Sequence, residues 1–135
     1  MNIDSRFSDV RETEIGEQVF NAFYNAGDDV IINAKKNYLL HDNRLSLAKG
    51  LSRFNNKIIT DHLILGPSTE LYNIDGDSIY LFDQHNFYNL TAAFVTPVDF
   101  QVRKVLYDKP TLYLVTDRNI YQCENPLNII KHMPD

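Results

Sequence analysis

The chain of 135 residues carries 13 Lys and Arg against 18 Asp and Glu, a net charge of −5, with a single Cys and no Trp. That length suits one globular unit, residues 1–135 as a single domain burying roughly two-thirds of its unfolded surface, and excludes a two-domain enzyme. No run of 18 apolar residues occurs and the start MNIDSRFSDVRETE is polar and acidic, so neither a membrane span nor a secretory leader is expected.

Cys123 can form no internal disulfide and no paired-cysteine zinc site, which fits a reducing compartment and a cytoplasmic location. Fourteen Asn, twelve Ile and eight Tyr favour A/T-rich codons and suggest a phage or an AT-rich bacterium, with the host cytoplasm as location in the viral case. Charge is segregated along the chain: residues 1–30 hold seven acids and two bases, 31–57 one acid and six bases, and 58–135 ten acids and five bases. The three blocks are −5, +5 and −5. The basic block, Lys35, Lys36, Arg44, Lys49, Arg53 and Lys57, either lies against an acidic element of the same fold or offers a contact surface to an acidic partner.

In chain order, Asp9 and Glu12 have the spacing of a capping box and Gly27 that of a C-terminal stop, which predicts an acidic helix over 10–26. Ile15, Val19, Phe20 and Phe23 would share one side of it. VIIN (30–33) is β-branched and short, and pairs as a strand with YLL (38–40). Residues 43–55 admit two readings. As a helix they stack Leu47, Leu51 and Phe54 on one face and Lys49, Arg53 and Lys57 on the other; as a strand pair they turn at Asp42-Asn43-Arg44. The helix is preferred, because an apolar spacing of four and then three has no β counterpart.

From 57 to 123 apolar runs of five to nine residues alternate with turn signals and predict an antiparallel sheet, with strands at 58–65, 70–74, 78–82, 87–94, 100–107, 111–115 and 120–123. NPLNIIKHM suggests a short helix over 126–133, with Asn125 as cap and Pro126 at its first position. Within the sheet, DSIYLFDQHNFYNL (77–90) aligns without gaps on PTLYLVTDRNIYQC (110–123), matching Tyr80 with Tyr113, Leu81 with Leu114, Asn86 with Asn119 and Tyr88 with Tyr121. Both read as hairpins of one design, each Asn supplying a left-handed turn residue. YLLHDNRLSL (38–47) is a fainter third copy. Such units line propeller blades, but two or three cannot close a propeller, so either the hairpins converged on one design or several chains assemble a larger β structure.

No catalytic constellation emerges. His41 beside Asp42, His62 beside Asp61, and His85 two residues after Asp83 are Asp/His pairs, but no HExxH, HxH or Cys-pair spacing occurs, and neighbours in a strand point to opposite faces. Turn chemistry explains Asp42 and Asp83. Cys123 reads as a small buried apolar group, GPSTE (66–70) lacks the spacing and lysine of a phosphate loop, and Asp75-Gly76-Asp77 reads as a turn. Neither catalytic residues nor a cofactor or metal is expected.

The expected fold is α+β: an N-terminal amphipathic helix and a second short helix packed on an antiparallel β-meander of about six strands. The expected role is that of a small non-enzymatic accessory or assembly protein that binds another protein or self-associates, with no membrane partner. Its contact residues would be Lys49, Arg53 and Lys57 with the hairpin tips His85 and Arg118. Two alternatives are a nucleic-acid-associated protein using the basic 35–57 segment, with Tyr80, Tyr88, Tyr113 and Tyr121 stacking on bases, and a metal-dependent hydrolase using the Asp/His pairs.

Overall fold

A computed structural model describes residues 10–94 and 101–130, and it replaces the α+β expectation with three separate antiparallel sheets. Sheet A runs β1 (Asn21–Tyr24), β2 (Val30–Asn33), β3 (Asn37–His41) and β4 (Arg44–Leu47) in sequential order. Sheet B follows as β5 (Ile59–Gly66), β6 (Thr69–Ile74), β7 (Ser78–Phe82) and β8 (Phe87–Asn89). Sheet C is β9 (Lys104–Asp108), β10 (Thr111–Val115) and β11 (Ile120–Glu124). The region read as one meander is thus two sheets, because the chain leaves β8 through a 3-10 turn at Thr91–Ala93 and begins a new ladder at β9. A short helix, α1 (Pro126–Ile130), closes the described part; residues 131–133 of the expected helix lie outside it.

The acidic helix over 10–26 does not form. Gly16 has φ +81°, residues 17–20 are irregular, and Asn21–Tyr24 pair antiparallel with β2. A two-residue period wins over the helical one. Asn21 and Phe23 face the protein while Ala22 and Tyr24 face away, leaving Val19 and Phe20 at 45% and 42% exposure. Gly27 caps no helix; its N–H donates to Asn25 Oδ1, and Asp28 takes the positive φ of the β1–β2 turn.

The basic helix over 43–55 also fails, and the hairpin reading holds for its first part. Asp42 and Asn43 have φ +48° and +62°, the pair of left-handed residues that a two-residue hairpin turn of type I′ requires. Lys49–Phe54 then form a 3-10 segment that drops Leu51 and Phe54 into the core. The apolar spacing of four and three arises because Leu47 ends a strand and the other two lie one 3-10 turn apart.

Sheet B is the middle layer. Phe23, Ile31 and Leu39 of sheet A, with Leu51 and Phe54, pack on Tyr72, Ile74, Tyr80, Phe82 and Phe87 of sheet B. The opposite face of sheet B, Leu63, Leu71, Ile79, Leu81 and Tyr88, packs on Val105, Tyr107, Leu112, Leu114 and Tyr121 of sheet C. Aromatic contacts fill the first interface, including Phe54 against Tyr80 and against Phe87, each with centroids 5.2 Å apart.

The two echoed hairpins share register and the side-chain capping of their turns. Leu81 faces Tyr88 across β7–β8 as Leu114 faces Tyr121 across β10–β11. Asp83 Oδ1 accepts the N–H groups of His85 and Asn86, and Thr116 Oγ1 accepts those of Arg118 and Asn119. Neither Asn86 nor Asn119 is left-handed, however: the first turn takes its positive φ at Gln84, and the second has no residue of positive φ. Equivalent faces meet: Ile79, Leu81 and Tyr88 pack on their counterparts Leu112, Leu114 and Tyr121. Propeller blades stack unlike faces, so this pair is not arranged as blades.

Side-chain amides and a carboxylate bind the layers where backbone ladders cannot. Asn33 Nδ2 donates to Lys57 O (3.1 Å) and to Asn37 Oδ1 (2.8 Å), while Asn33 Oδ1 accepts from Ile59 N–H (2.8 Å). Asn21 Nδ2 donates to Ile59 O (2.8 Å). Between sheets B and C, Val105 N–H donates to Asp61 Oδ2 (2.8 Å) and Asn73 Nδ2 to Val102 O (3.2 Å). The Asp75-Gly76-Asp77 turn takes part too: Gly76, at φ +77°, accepts Val102 N–H, and a Cβ there would fall 2.4 Å from Gln101 Cγ.

Replacing Asn33 by Ala leaves a buried N–H, a carbonyl and an amide oxygen without their partner. Urea unfolding should register a loss of about 3 kcal/mol; a loss under about 1 kcal/mol would show that water replaces the amide.

Candidate functional site

The basic segment does not form one stripe. Arg53 lies over the Phe87 ring with its guanidinium carbon 4.5 Å from the centroid, and Lys57 Nζ is 3.8 Å from Asp75 Oδ2. Both line an open polar cleft of about 470 Å³ with Asp75, Asp77, Ser78 and Tyr80. Lys49, on the same 3-10 segment as Arg53, borders a different cavity. His85 and Arg118 are exposed on the tips of hairpins belonging to sheets B and C. Two of the five expected contact residues therefore converge, and they do so among carboxylates of their own chain.

The histidines have separate surroundings. His62, with a side chain 5% exposed, stacks on Phe23 at 4.1 Å, and its Nε2 lies 2.7 Å from Glu70 Oε1. Tyr72 donates its hydroxyl to the same oxygen (3.3 Å); burial, reinforced by the Glu70 charge, pushes the phenol far above its ordinary range. Glu70 borders an apolar cavity of about 220 Å³ between sheets A and B with Ile31, Leu39, Leu51 and Phe82. No sequence signal marked this trio, since Glu70 and Tyr72 alternate as ordinary strand residues. His41 Nδ1 contacts Asp29 Oδ1 and its Nε2 lies 3.2 Å from Asp42 Oδ2, clamping the β1–β2 turn to the β3–β4 turn. The hydrogen bond and charge of Asp29, then the charge of Asp42, raise the His41 pKa. Burial raises the pKa of the Cys123 thiol, a shift away from thiolate character. Among the described residues no group of three or more His, Cys, Asp or Glu converges as a metal site, and no helix is long and apolar enough to cross a membrane.

The outward side of sheet A is the feature that the internal packing leaves unexplained. With Phe23, Ile31 and Leu39 turned inward, alternation and register put two rows outward: Ala22, Ile32, Tyr38 and Leu47, then Tyr24, Val30, Leu40 and Leu45. All eight are apolar or tyrosine. Tyr24 is 66% and Leu47 51% exposed; Leu47, at its strand end, also borders the apolar cavity. Strands that are apolar in both phases belong to sheets covered on both faces, as sheet B is, yet among the described residues no strand or helix packs on this side of sheet A, and the segment before β1 reaches it only where the Glu17 carboxylate lies against the Tyr38 hydroxyl. The outward side of sheet C differs, because Leu106, Tyr113, Val115 and Ile120 alternate there with Lys104, Asp108, Gln122 and Glu124.

The two ends of sheet A carry opposite charge. Asp28, Asp29 and Asp42 gather at the end formed by the β1–β2 and β3–β4 turns, with His41 and Arg44 beside them. Lys35 and Lys36 occupy the β2–β3 turn at the other end, where Glu17 Oε1 accepts the Lys36 N–H. Asp28 and Asp29 of the N-terminal block thus lie at one pole of the sheet and Lys35 and Lys36 of the middle block at the other, while Arg44 joins the acidic pole and Glu17 the basic one.

Two outcomes follow for these side chains. Lys49→Glu should leave thermal stability unchanged while Arg53→Glu costs about 1 kcal/mol through loss of the ring contact; equal effects in a thermal melt would remove that contact from the account. In an NMR titration His41 should protonate above its ordinary 6.5. Its contribution to stability is fully present below that value and is lost as pH rises through the raised one, and His41→Phe should flatten this part of the stability profile; a His41 titrating at or below 6.5 would refute the clamp.

No family model matches the chain, and no curated protein matches it. The functional reading therefore rests on the chemistry of the site itself.

Proposed function

We propose that the chain is a non-enzymatic protein-contact module, an accessory or assembly protein that docks through the outward side of sheet A. The carrying observation is the pair of unbroken apolar rows on four strands, a pattern that soluble proteins place under cover. Removing such a surface from water contributes on the order of 25 cal/mol per Å², enough to drive association without any polar recognition at the centre. Tyr24 and Tyr38 add broad amphipathic area of the kind enriched at interfaces, and charged groups lie at the rim rather than within the rows. This reading rests on sheet A and not on the charged set Lys49, Arg53, Lys57, His85 and Arg118, of which Arg53 and Lys57 have partners within the chain.

Tyr24→Gln combined with Leu47→Gln removes the two most exposed members of the face without altering charge. In side-by-side capture experiments the double variant should bind at least tenfold more weakly than the wild type, with the melting temperature nearly unchanged. Equal capture by both proteins would refute the docking role of this face.

A further inference from the structure

We propose that the occupant of this face is a second copy of the chain, stacked sheet on sheet about a two-fold axis that lies between the two sheets and runs across their strands. The inference rests on the docking role of the face and adds the identity and orientation of the partner. Its first support is electrostatic. A two-fold axis parallel to the strands would bring Asp28 and Asp42 of one copy onto the same residues of the other. An axis across the strands reverses strand direction and sets Asp28 and Asp42 over Lys35 and Lys36, twice by symmetry. His41 and Arg44 temper the acidic pole and Glu17 the basic one, but the excess charge of the two poles stays opposite in sign and is matched in that arrangement alone.

The second support is the shape of the face. Four strands at about 4.8 Å spacing and four residues at about 3.4 Å rise give a patch roughly 19 by 14 Å, the kind of surface that sheets stack face to face. No member of the rows is charged, and the Glu17 carboxylate that lies against the Tyr38 hydroxyl sits at the Lys35–Lys36 end, where it would remain at the rim of the interface. The third support lies inside the chain, where the equivalent faces of the β7–β8 and β10–β11 hairpins already pack on one another. The outward side of sheet C is the poorer counterpart, since its charged residues would be buried against the apolar rows. A patch of this size is well below that of a permanent interface, so the dimer is expected to be weak and reversible.

Sedimentation equilibrium of the full chain tests the proposal, run from low micromolar to several hundred micromolar protein at 50 mM and 500 mM salt. The expected result is a monomer–dimer equilibrium that weakens several-fold in high salt. Lys35→Glu with Lys36→Glu makes both poles acidic and should weaken the dimer at least tenfold. Asp28→Lys with Asp42→Lys makes both poles basic and should do the same, while an equimolar mixture of the two proteins should recover association to within a few-fold of the wild type. Asp28 and Asp42 have positive φ, so Asp28→Asn with Asp42→Asn supplies a second variant that tolerates this backbone; it should lose most of the salt dependence.

A wild type that stays monomeric throughout overturns the proposal, and so does growth beyond the dimer, the signature of sheet A stacking on sheet C. Failure of the mixed variants to recover association overturns the antiparallel orientation. Monomeric protein whose capture of another protein still depends on Tyr24 and Leu47 removes the second copy as occupant and leaves the docking face standing. A dimer and a capture both indifferent to Tyr24→Gln with Leu47→Gln remove the two readings together.

Discussion

Three sheets lying face to face share no backbone ladder between layers, so something other than strand pairing must fix how they sit. Here that task falls to short side chains that bond the backbone of the next sheet. The carboxamides of Asn21 and Asn33 hold the N–H and C=O of Ile59 and the C=O of Lys57, supplying the donors and acceptor of a neighbouring strand from side chains. Asp61 and Asn73 repeat the device toward sheet C. Each bond is worth only about 1 kcal/mol net, but each also spares a buried backbone group the larger penalty of having no partner. Apolar packing supplies most of the cohesion between layers; the amides fix where the layers sit.

This device explains what the sequence withheld. The asparagine excess was visible, and its cause was assigned to codon usage; in the structure Asn33, Asn37 and Asn73 are buried working parts. Strands from 58 onward were legible because alternation and turn residues agree there. The division into two sheets was not, since a two-residue period says which residues share a face and nothing about what that face meets. The expected N-terminal helix gave way to pairing: Val19, Phe20 and Phe23 have a helical spacing, but Gly16 leaves the helical region at φ +81° and residues 21–24 pair with β2, which turns Asn21 and Phe23 inward in strict alternation.

The candidate site was less legible than the fold. Charge drew attention to Lys49, Arg53 and Lys57, but a charge run records composition, and two of the three turn out to be engaged by Phe87 and Asp75. The better signal was present in VIIN and NYLLH, both apolar in each phase. Such runs describe strands covered on both sides, and the described residues cover one. Recognising this from the sequence alone required knowing that sheet A lies at the end of the stack.

Sheet B, covered on both sides, has a consequence for how its own pairing is chosen. In a half-solvated sheet a one-residue slip moves apolar side chains into water, and that penalty enforces register. In β6 and β7 a slip would exchange one interior for another and expose little. Discrimination must come instead from size and shape: rings, Tyr72, Tyr80 and Phe82, line the side toward sheet A, and the aliphatic Leu71, Ile79 and Leu81 line the side toward sheet C. Interchanging them would force aromatic groups into space shaped for branched chains and leave voids where the rings had been. In this sheet steric fit, rather than the boundary with solvent, decides alignment.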